Sequence, residues 1–314
     1  MPHTVLVTGG AGFIGSHLVD GLSAEGHTVR IVDNFSTGFR SNVSPPRSNV
    51  SIIDADLAEE SVAADACRDI EYVFHLAAIP SVPRSVHDPI TTQRNGEVAT
   101  LRLLEACASK SVRRVIFASS SSAYGDTQVL PKVETMLPQP LSPYAASKVA
   151  CEHYLRAYAH CRGLDSVALR YFNVFGPRQN SASPYSGVIS LFLARMLRGE
   201  RPNIHGNGMQ TRDFTYVENV VLANLLAMRA PGRLNGTICN IGCGQQVTLN
   251  AVVEALNAAL ETHLAPVYIP SRTGDVRDSL ADITRARELL KYAPKIGFSD
   301  GIECLVVAQA LQHD

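Results

Sequence analysis

Tyr144 and Lys148 stand four residues apart at the start of a helical stretch, so both side chains reach the same face. A phenol is ordinarily too weak a base at neutral pH, but a cation beside it stabilises the phenolate and lowers its pKa. The pair by itself reads equally well as an exposed aromatic and a solvated lysine. What gives it a task lies upstream. Thr8-Gly9-Gly10-Ala11-Gly12-Phe13-Ile14-Gly15 follows a short apolar run and opens a helix. Glycines at 9, 12 and 15 allow a tight turn, a close backbone approach to pyrophosphate and a helix seated against the sheet, while the helix N-terminus offers unpaired N–H groups. Asp33, 18 residues after Gly15, ends the next strand, where a carboxylate binds both ribose hydroxyls and repels a 2′-phosphate. The expected cofactor is therefore NAD rather than NADP, and its nicotinamide adds a second positive charge near Tyr144. Asp56-Leu57, past the third strand, offers either a carboxylate to the adenine amino group or a helix N-cap.

The elements that must position these groups alternate. Strands are expected at Thr4–Val7, Thr28–Val32, Val50–Asp54, Tyr72–Leu76, Arg114–Ser119 and Ser166–Arg170, each a short apolar or β-branched run of the kind a sheet buried on both faces requires. Helices are expected between them, at Gly12–Ala24, Gly96–Ser109 and Tyr144–Arg162. This alternation predicts an α/β fold, a doubly wound parallel sheet (Rossmann fold) with ligand at the carboxyl ends of its strands. After Phe175 the texture changes to Pro-, Ser-, Asn- and Gly-rich loops and shorter helices at Val188–Arg198, Glu218–Ala230, Leu249–Thr262 and Thr284–Leu290. Residues 1–175 are expected to form the NAD-binding domain. Residues 176–314 are expected to form mainly a smaller C-terminal α/β substrate-binding region, with the chain free to cross back.

The 314 residues, 46% hydrophobic and 18% charged with a net charge of −1, suit a globular chain and give no electrostatic reason to expect nucleic acid or an anionic membrane as partner. Seven scattered cysteines read as reduced thiols, and Cys239 and Cys243 lack the second pair or histidine a zinc site needs, so no metal is expected. The first strand begins almost at once, and no apolar run approaches the ~20 residues of a membrane span. A soluble, cytoplasmic protein is the expectation.

The glycine spacing, Asp33, His75-Leu76-Ala77-Ala78, the serine run before Tyr124-Gly125, and Tyr144-x-x-x-Lys148 together resemble the extended short-chain dehydrogenase/reductases over essentially the whole chain. The resemblance implies that Asn34, Ser36, Thr37 and Gly38, with Leu76, Ala77 and Ala78, continue the cofactor contact, and that Lys148 also holds the nicotinamide ribose. It further implies a catalytic serine at the end of the fifth strand. Counting back four from Tyr124 selects Ser120, supported by Ser121.

The second half resembles the nucleotide-sugar epimerases. In Arg170-Tyr171-Phe172-Asn173-Val174-Phe175-Gly176-Pro177-Arg178-Gln179 the match implies that Asn173 contacts the diphosphate and that Tyr171 and Phe172 lie near the nicotinamide. Arg212 and Arg272 would hold the diphosphate by planar, bidentate forks, and Asp275 the uridine ribose. Ile204 and His205 would line the uracil, His205 either stacking on it or solvated, and Gly187, Val188, Ser81 and Arg84 would complete the substrate site. Dehydratases and decarboxylases of this kind carry an acid within the serine segment. Ser120-Ser121-Ser122-Ala123 has none, which points to 4-epimerisation: oxidation at C4, rotation of the 4-keto sugar, and return of the hydride to its other face. Ser279, where epimerases restricted to glucose and galactose carry a tyrosine, leaves room for an acetamido group. UDP-N-acetylglucosamine and UDP-N-acetylgalactosamine are thus the expected pair, with UDP-glucose and UDP-galactose as a second. A UDP-glucuronate 4-epimerase and an idle NAD-binding regulator are the alternatives. Two departures stand out: Gly96 occupies the place of a family asparagine, with Asn95 one position early, and Pro80 replaces a small glycine. A homodimer through the helices at Gly96–Ser109 and Tyr144–Arg162 is implied by the same resemblance.

Overall fold

The computed structural model describes residues 1–180, 187–271 and 277–311. The apolar runs of the first half become β1 (Thr4–Thr8), β2 (Thr28–Asp33), β3 (Val50–Asp54), β4 (Tyr72–His75), β5 (Arg114–Ser120) and β6 (Ser166–Tyr171). Further along lie β7 (Val174–Phe175), β8 (Asn203–His205), β9 (Thr211–Arg212), β10 (Thr215–Tyr216), β11 (Thr237–Ile241), β12 (Val247–Thr248) and β13 (Val267–Ile269). The main sheet has seven strands in the order β11-β6-β5-β4-β1-β2-β3, every pairing parallel. Its reversal of direction beside β1 opens the crevice in which doubly wound folds bind ligand. β11 joins this sheet from the second half of the chain and was not among the expected strands.

Alternation along each strand splits the core in two. Val5, Val7, Val29, Ile31 and Ile116 face one side, packed with α1 (Phe13–Ala24) and α8 (Val217–Arg229). Leu6, Val32, Val115 and Phe117 face the other, against α2 (Val62–Ala66), α5 (Ala99–Ser109) and α6 (Pro143–Cys161). A third cluster, joining α7 (Val188–Met196), α9 (Leu249–Leu260) and the helix at Phe298–Ala310, supports the smaller region. Among the described residues no helix is long and apolar enough to cross a membrane.

The helix expected from Gly96 starts earlier. Chain after α3 (Val82–His87) turns directly into α4 (Pro89–Gln93), passes through a π-helical turn at Arg94–Val98 and continues as α5. The wider turn absorbs the one-residue offset seen in the sequence. It sets Gly96 against α6, where a Cβ would meet Ser147 Oγ at 3.1 Å, and leaves Asn95 on the wall of the cleft described next.

Candidate active site

A cleft of ≈ 1090 Å³ runs along the carboxyl ends of the main sheet. Its floor is the β1–α1 turn. Gly9 has φ +71°, and a Cβ there would lie 2.8 Å from Ala77 N, so both conformation and contact demand glycine. A Cβ on Gly15 would lie 2.1 Å from Gly9 O, which brings the helix hard against the turn. No side chain caps α1 at Gly12, and Phe13, Ile14 and Gly15 of its first turn line the cleft, a cradle suited to an anion. Asp33, 9% exposed, holds this turn: Oδ2 accepts from Ala11 N at 2.9 Å and Oδ1 from Phe35 N at 2.8 Å. Each oxygen keeps a second lone pair for a ribose hydroxyl. Asn34, Ser36, Thr37 and Gly38 follow along the same wall, then Leu57 and, beyond β4, Leu76, Ala77 and Ala78. These residues fit NAD.

Asp56 also lines the cleft but caps no helix, since α2 begins at Val62 after Ser61. Its Oδ1 accepts from Ala58 N at 2.8 Å, and its Oδ2 from Arg94 at 2.5 Å. The N-cap alternative is thereby removed.

Tyr144 and Lys148 project from α6 into the cleft, with the Lys148 Nζ 5.8 Å from the Tyr144 ring centre and donating to Ala118 O at 2.8 Å. Ser120, at the end of β5, accepts from Ser122 N and Ser122 Oγ at 3.2 and 2.9 Å. Its own hydroxyl proton is left to donate towards Tyr144. Burial pushes Tyr144 up to about 12 against the pull of the Ser120 hydroxyl, and pushes Lys148 down to about 8 against Cys151 and Glu152. For Tyr144, then, lost hydration outweighs the Ser120 hydrogen bond, and the direction is the reverse of that expected from the pair's spacing.

Behind the pair lies a relay that sequence reading noticed only as part of a motif. Thr100 donates to Gly96 O at 2.6 Å, so His75 Nε2 must donate to Thr100 Oγ1 (2.9 Å) and Nδ1 must accept from Thr8 (2.7 Å). Thr8 Oγ1 also accepts from Ala77 N at 3.2 Å. One buried neutral imidazole thus ties the glycine turn, the Ala77 loop and the π turn together, and burial drops its pKa to about 3.

On the substrate side, Ser81, Arg84, Ser121, Asn173, Gly187, Arg212 and Ser279 line the cleft with the catalytic residues. Ser81 caps α3 by accepting from Arg84 N at 3.2 Å, Asn173 donates to Asp213 O at 3.3 Å, and Arg212 Nη1 donates to the Thr211 and Arg277 carbonyls. Four of the expected site residues do not line this wall. Phe172 is wholly buried against Tyr124 and, with Tyr171, whose hydroxyl bonds Asn224 of α8, belongs to the core cluster on the α1 and α8 side of the sheet. Ile204 is likewise the inward residue of β8 and belongs to the third core cluster. Val188 and His205 lie off the described cleft wall, with the His205 Nδ1 donating to Pro270 O at 3.0 Å. Arg272 and Asp275 lie outside the described residues.

Two residues that sequence reading missed organise this side. Asp213, fully buried, accepts from Cys243 N, Gly244 N and Ala281 N at 2.8–3.0 Å. Lys132, 2% exposed and on the cleft wall, donates its ammonium to the Thr127 and Val129 carbonyls, while its backbone pairs with Leu280 and Asp282 beside Ser279. Asp213 stands beside Arg212 in Arg212-Asp213-Phe214, the one signal the sequence offers for it, and no local pattern marks Lys132.

The model of the NAD dependent epimerase/dehydratase family matches residues 5–242. A putative UDP-glucose 4-epimerase of Methanocaldococcus jannaschii is 37% identical over 305 residues, 96% of this chain and 97% of that protein. The structure of a UDP-N-acetylglucosamine 4-epimerase from Methanobrevibacter ruminantium M1, in complex with UDP-N-acetylmuramic acid, superposes with a TM-score of 0.95 at 40% identity, covering 99% of both chains. A UDP-glucose 4-epimerase of Thermus thermophilus in complex with NAD gives 0.88 at 37% identity, covering 97% of this chain and 98% of that one.

Proposed function

The chain belongs to the NAD-dependent epimerase/dehydratase family, and from that premise we propose that it is an isomerase inverting C4 of a UDP-hexose. The substrates are UDP-N-acetylglucosamine and UDP-N-acetylgalactosamine, with UDP-glucose and UDP-galactose accepted as well. The observation that carries the reading is the convergence of Ser120, Tyr144 and Lys148 on the wall of the cleft that also holds the glycine turn and Asp33.

Tyr144 takes the proton from the sugar 4-hydroxyl as C4 is oxidised. Ser120, with one hydroxyl proton to give, holds the same oxygen, and Lys148 keeps positive charge beside the phenolate. NAD held on the glycine turn and Asp33 would supply the hydride acceptor for C4 and the donor for its return, and its positive charge would favour the Tyr144 phenolate. The 4-keto sugar turns in the cleft and Tyr144 returns the proton on completion. Ser121, Ser122 and Ala123 carry no acid or base, so protons at neighbouring carbons stay in place. Asn173 and Arg212 hold the diphosphate while the sugar turns. Ser279, small and on the cleft wall, is what supports an acetamido substrate.

Proton NMR of the purified protein with UDP-N-acetylglucosamine, without added NAD, tests this. Appearance of the galacto anomeric signal is the expected result, with UDP-glucose converting alongside. Conversion of UDP-glucuronate alone would assign Arg84, on the same wall, to a C6 carboxylate and overturn the acetamido reading. Silence with all three sugars would overturn the enzymatic one.

The same premise supports a homodimer built on α5 and α6. Apolar Val86 and Ile90, 64% and 74% exposed on the adjoining α3 and α4, accord with it, and sedimentation equilibrium checks it.

A further inference from the structure

The outer face of α1, away from the cleft, carries a junction that the proposed chemistry does not use. Asp20 accepts from two arginines that come from opposite ends of the ligand site: Arg47 Nη2 to Oδ1 at 2.5 Å and Arg178 Nη2 to Oδ2 at 2.7 Å. Arg47 ends the segment that follows β2. That segment lines the nucleotide end of the cleft through Ser36, Thr37 and Gly38, and it is pressed onto the glycine turn. A Cβ on Gly38 would lie 2.7 Å from Ala11 C, Phe39 N donates to Ala11 O at 3.0 Å, and Asn42 Nδ2 donates to the same oxygen at 2.8 Å. Arg178 belongs to the segment after β7, whose Gln179 and Asn180 line the substrate end. It reaches back to Asn42 O at 3.5 Å, and its neighbour Pro177 accepts from His17 Nε2 on α1 at 3.0 Å. Two walls of one cleft are therefore fastened to one helix through one carboxylate.

We propose that Asp20 is a positioning residue that retains NAD, by clamping the nucleotide segment and the substrate-side segment to α1. A dinucleotide seated on the glycine turn would lie against the segment that carries Gly38, and that segment is anchored at Arg47. The device suits a reaction that returns its hydride, because cofactor lost at the keto stage strands the sugar oxidised. The inference rests on the epimerase reading for its purpose but not for its test, which uses no sugar.

The measurement is NADH dissociation from the reconstituted full chain, followed by loss of bound-state fluorescence on dilution into excess NAD, together with NAD retained after gel filtration. Asp20→Asn keeps the side-chain shape and removes the charge. Release about tenfold faster than wild type is expected, the size appropriate to two partly exposed ion pairs. Arg47→Gln and Arg178→Gln are each expected to fall between the two, and they supply the readout should Asp20→Asn fold poorly. Raising salt from about 50 mM to about 500 mM should speed release from wild type more than from Asp20→Asn, which lacks these two pairs to screen. Equal release rates across wild type and all three variants, or the same salt response in wild type and Asp20→Asn, would overturn the proposal. A protein that holds NADH in this way yet converts no UDP-sugar would overturn the epimerase reading alone.

Discussion

At the scale of single residues, burial sets the chemistry. Lys148, lowered to about 8, is charged below that pH and loses its charge above it. Its cation supports the Tyr144 phenolate, so kcat/KM should fall as pH rises through about 8. Lys148→Arg should move this limb beyond the accessible range, and Tyr144→Phe should cut kcat by roughly a thousandfold. A pH–rate profile by NMR checks both. His75 makes a different demand. Its folded pKa of about 3 lies below the 6.5 of an exposed imidazole, so the unfolded chain takes up the proton first. Stability from this group is complete above pH 6.5 and declines as pH falls towards 3, by about 2 kcal/mol between pH 6.5 and pH 5. Urea unfolding should show this loss in wild type and a flatter dependence in His75→Gln, which has no proton to gain.

At the scale of elements, the position of α6 decides where Tyr144 and Lys148 point, and a buried ion pair decides the position of α6. Glu152, one turn beyond Lys148, receives Arg170 of β6 through Nε at 2.8 Å and Nη2 at 2.7 Å, and Ser119 of β5 at 2.6 Å. Guanidinium and carboxylate are 1% and 2% exposed. Removing the charge from one partner leaves the other buried without its counter-ion. Glu152→Gln should therefore cost about 3–5 kcal/mol in chemical denaturation, whereas the double change Glu152→Met with Arg170→Met should recover most of it. The spacing of Glu152 from Lys148 is visible in the sequence; its partner on β6 is not, because the pairing exists only once β5, β6 and α6 meet.

At the scale of the whole molecule, the substrate side is assembled from segments far apart in the chain. Asp213 gathers the loop after β11 and the Ser279–Ala281 segment onto its own carboxylate, and Lys132 ties the strand of chain before α6 to the same segment. Loss of this junction should loosen the sugar site without touching the glycine turn. Asp213→Ala is expected to raise KM for the nucleotide sugar by about tenfold, on the order of a lost charge-assisted hydrogen bond, with NADH affinity unchanged. Steady-state kinetics and a fluorescence titration separate the two quantities.

The sequence by itself determined what depends on neighbours along the chain. The glycine turn needs φ > 0 at Gly9 and no Cβ at Gly15, Asp33 follows at the strand end, and Tyr144 and Lys148 share a face by helical spacing; each is a local constraint written within a few residues. The tertiary structure decided what depends on distant partners. It sent Phe172 and Ile204 into the core, widened the helix at Arg94–Val98 so that Asn95 borders the cleft, added β11 to the sheet, and fastened the substrate side through Asp213 and Lys132. It also raised the pKa of Tyr144 where spacing to Lys148 had suggested a fall. The reason is the same throughout: local pattern fixes backbone conformation and which side chains share a face, whereas burial, and with it charge and contact, is fixed only when separate elements pack against one another.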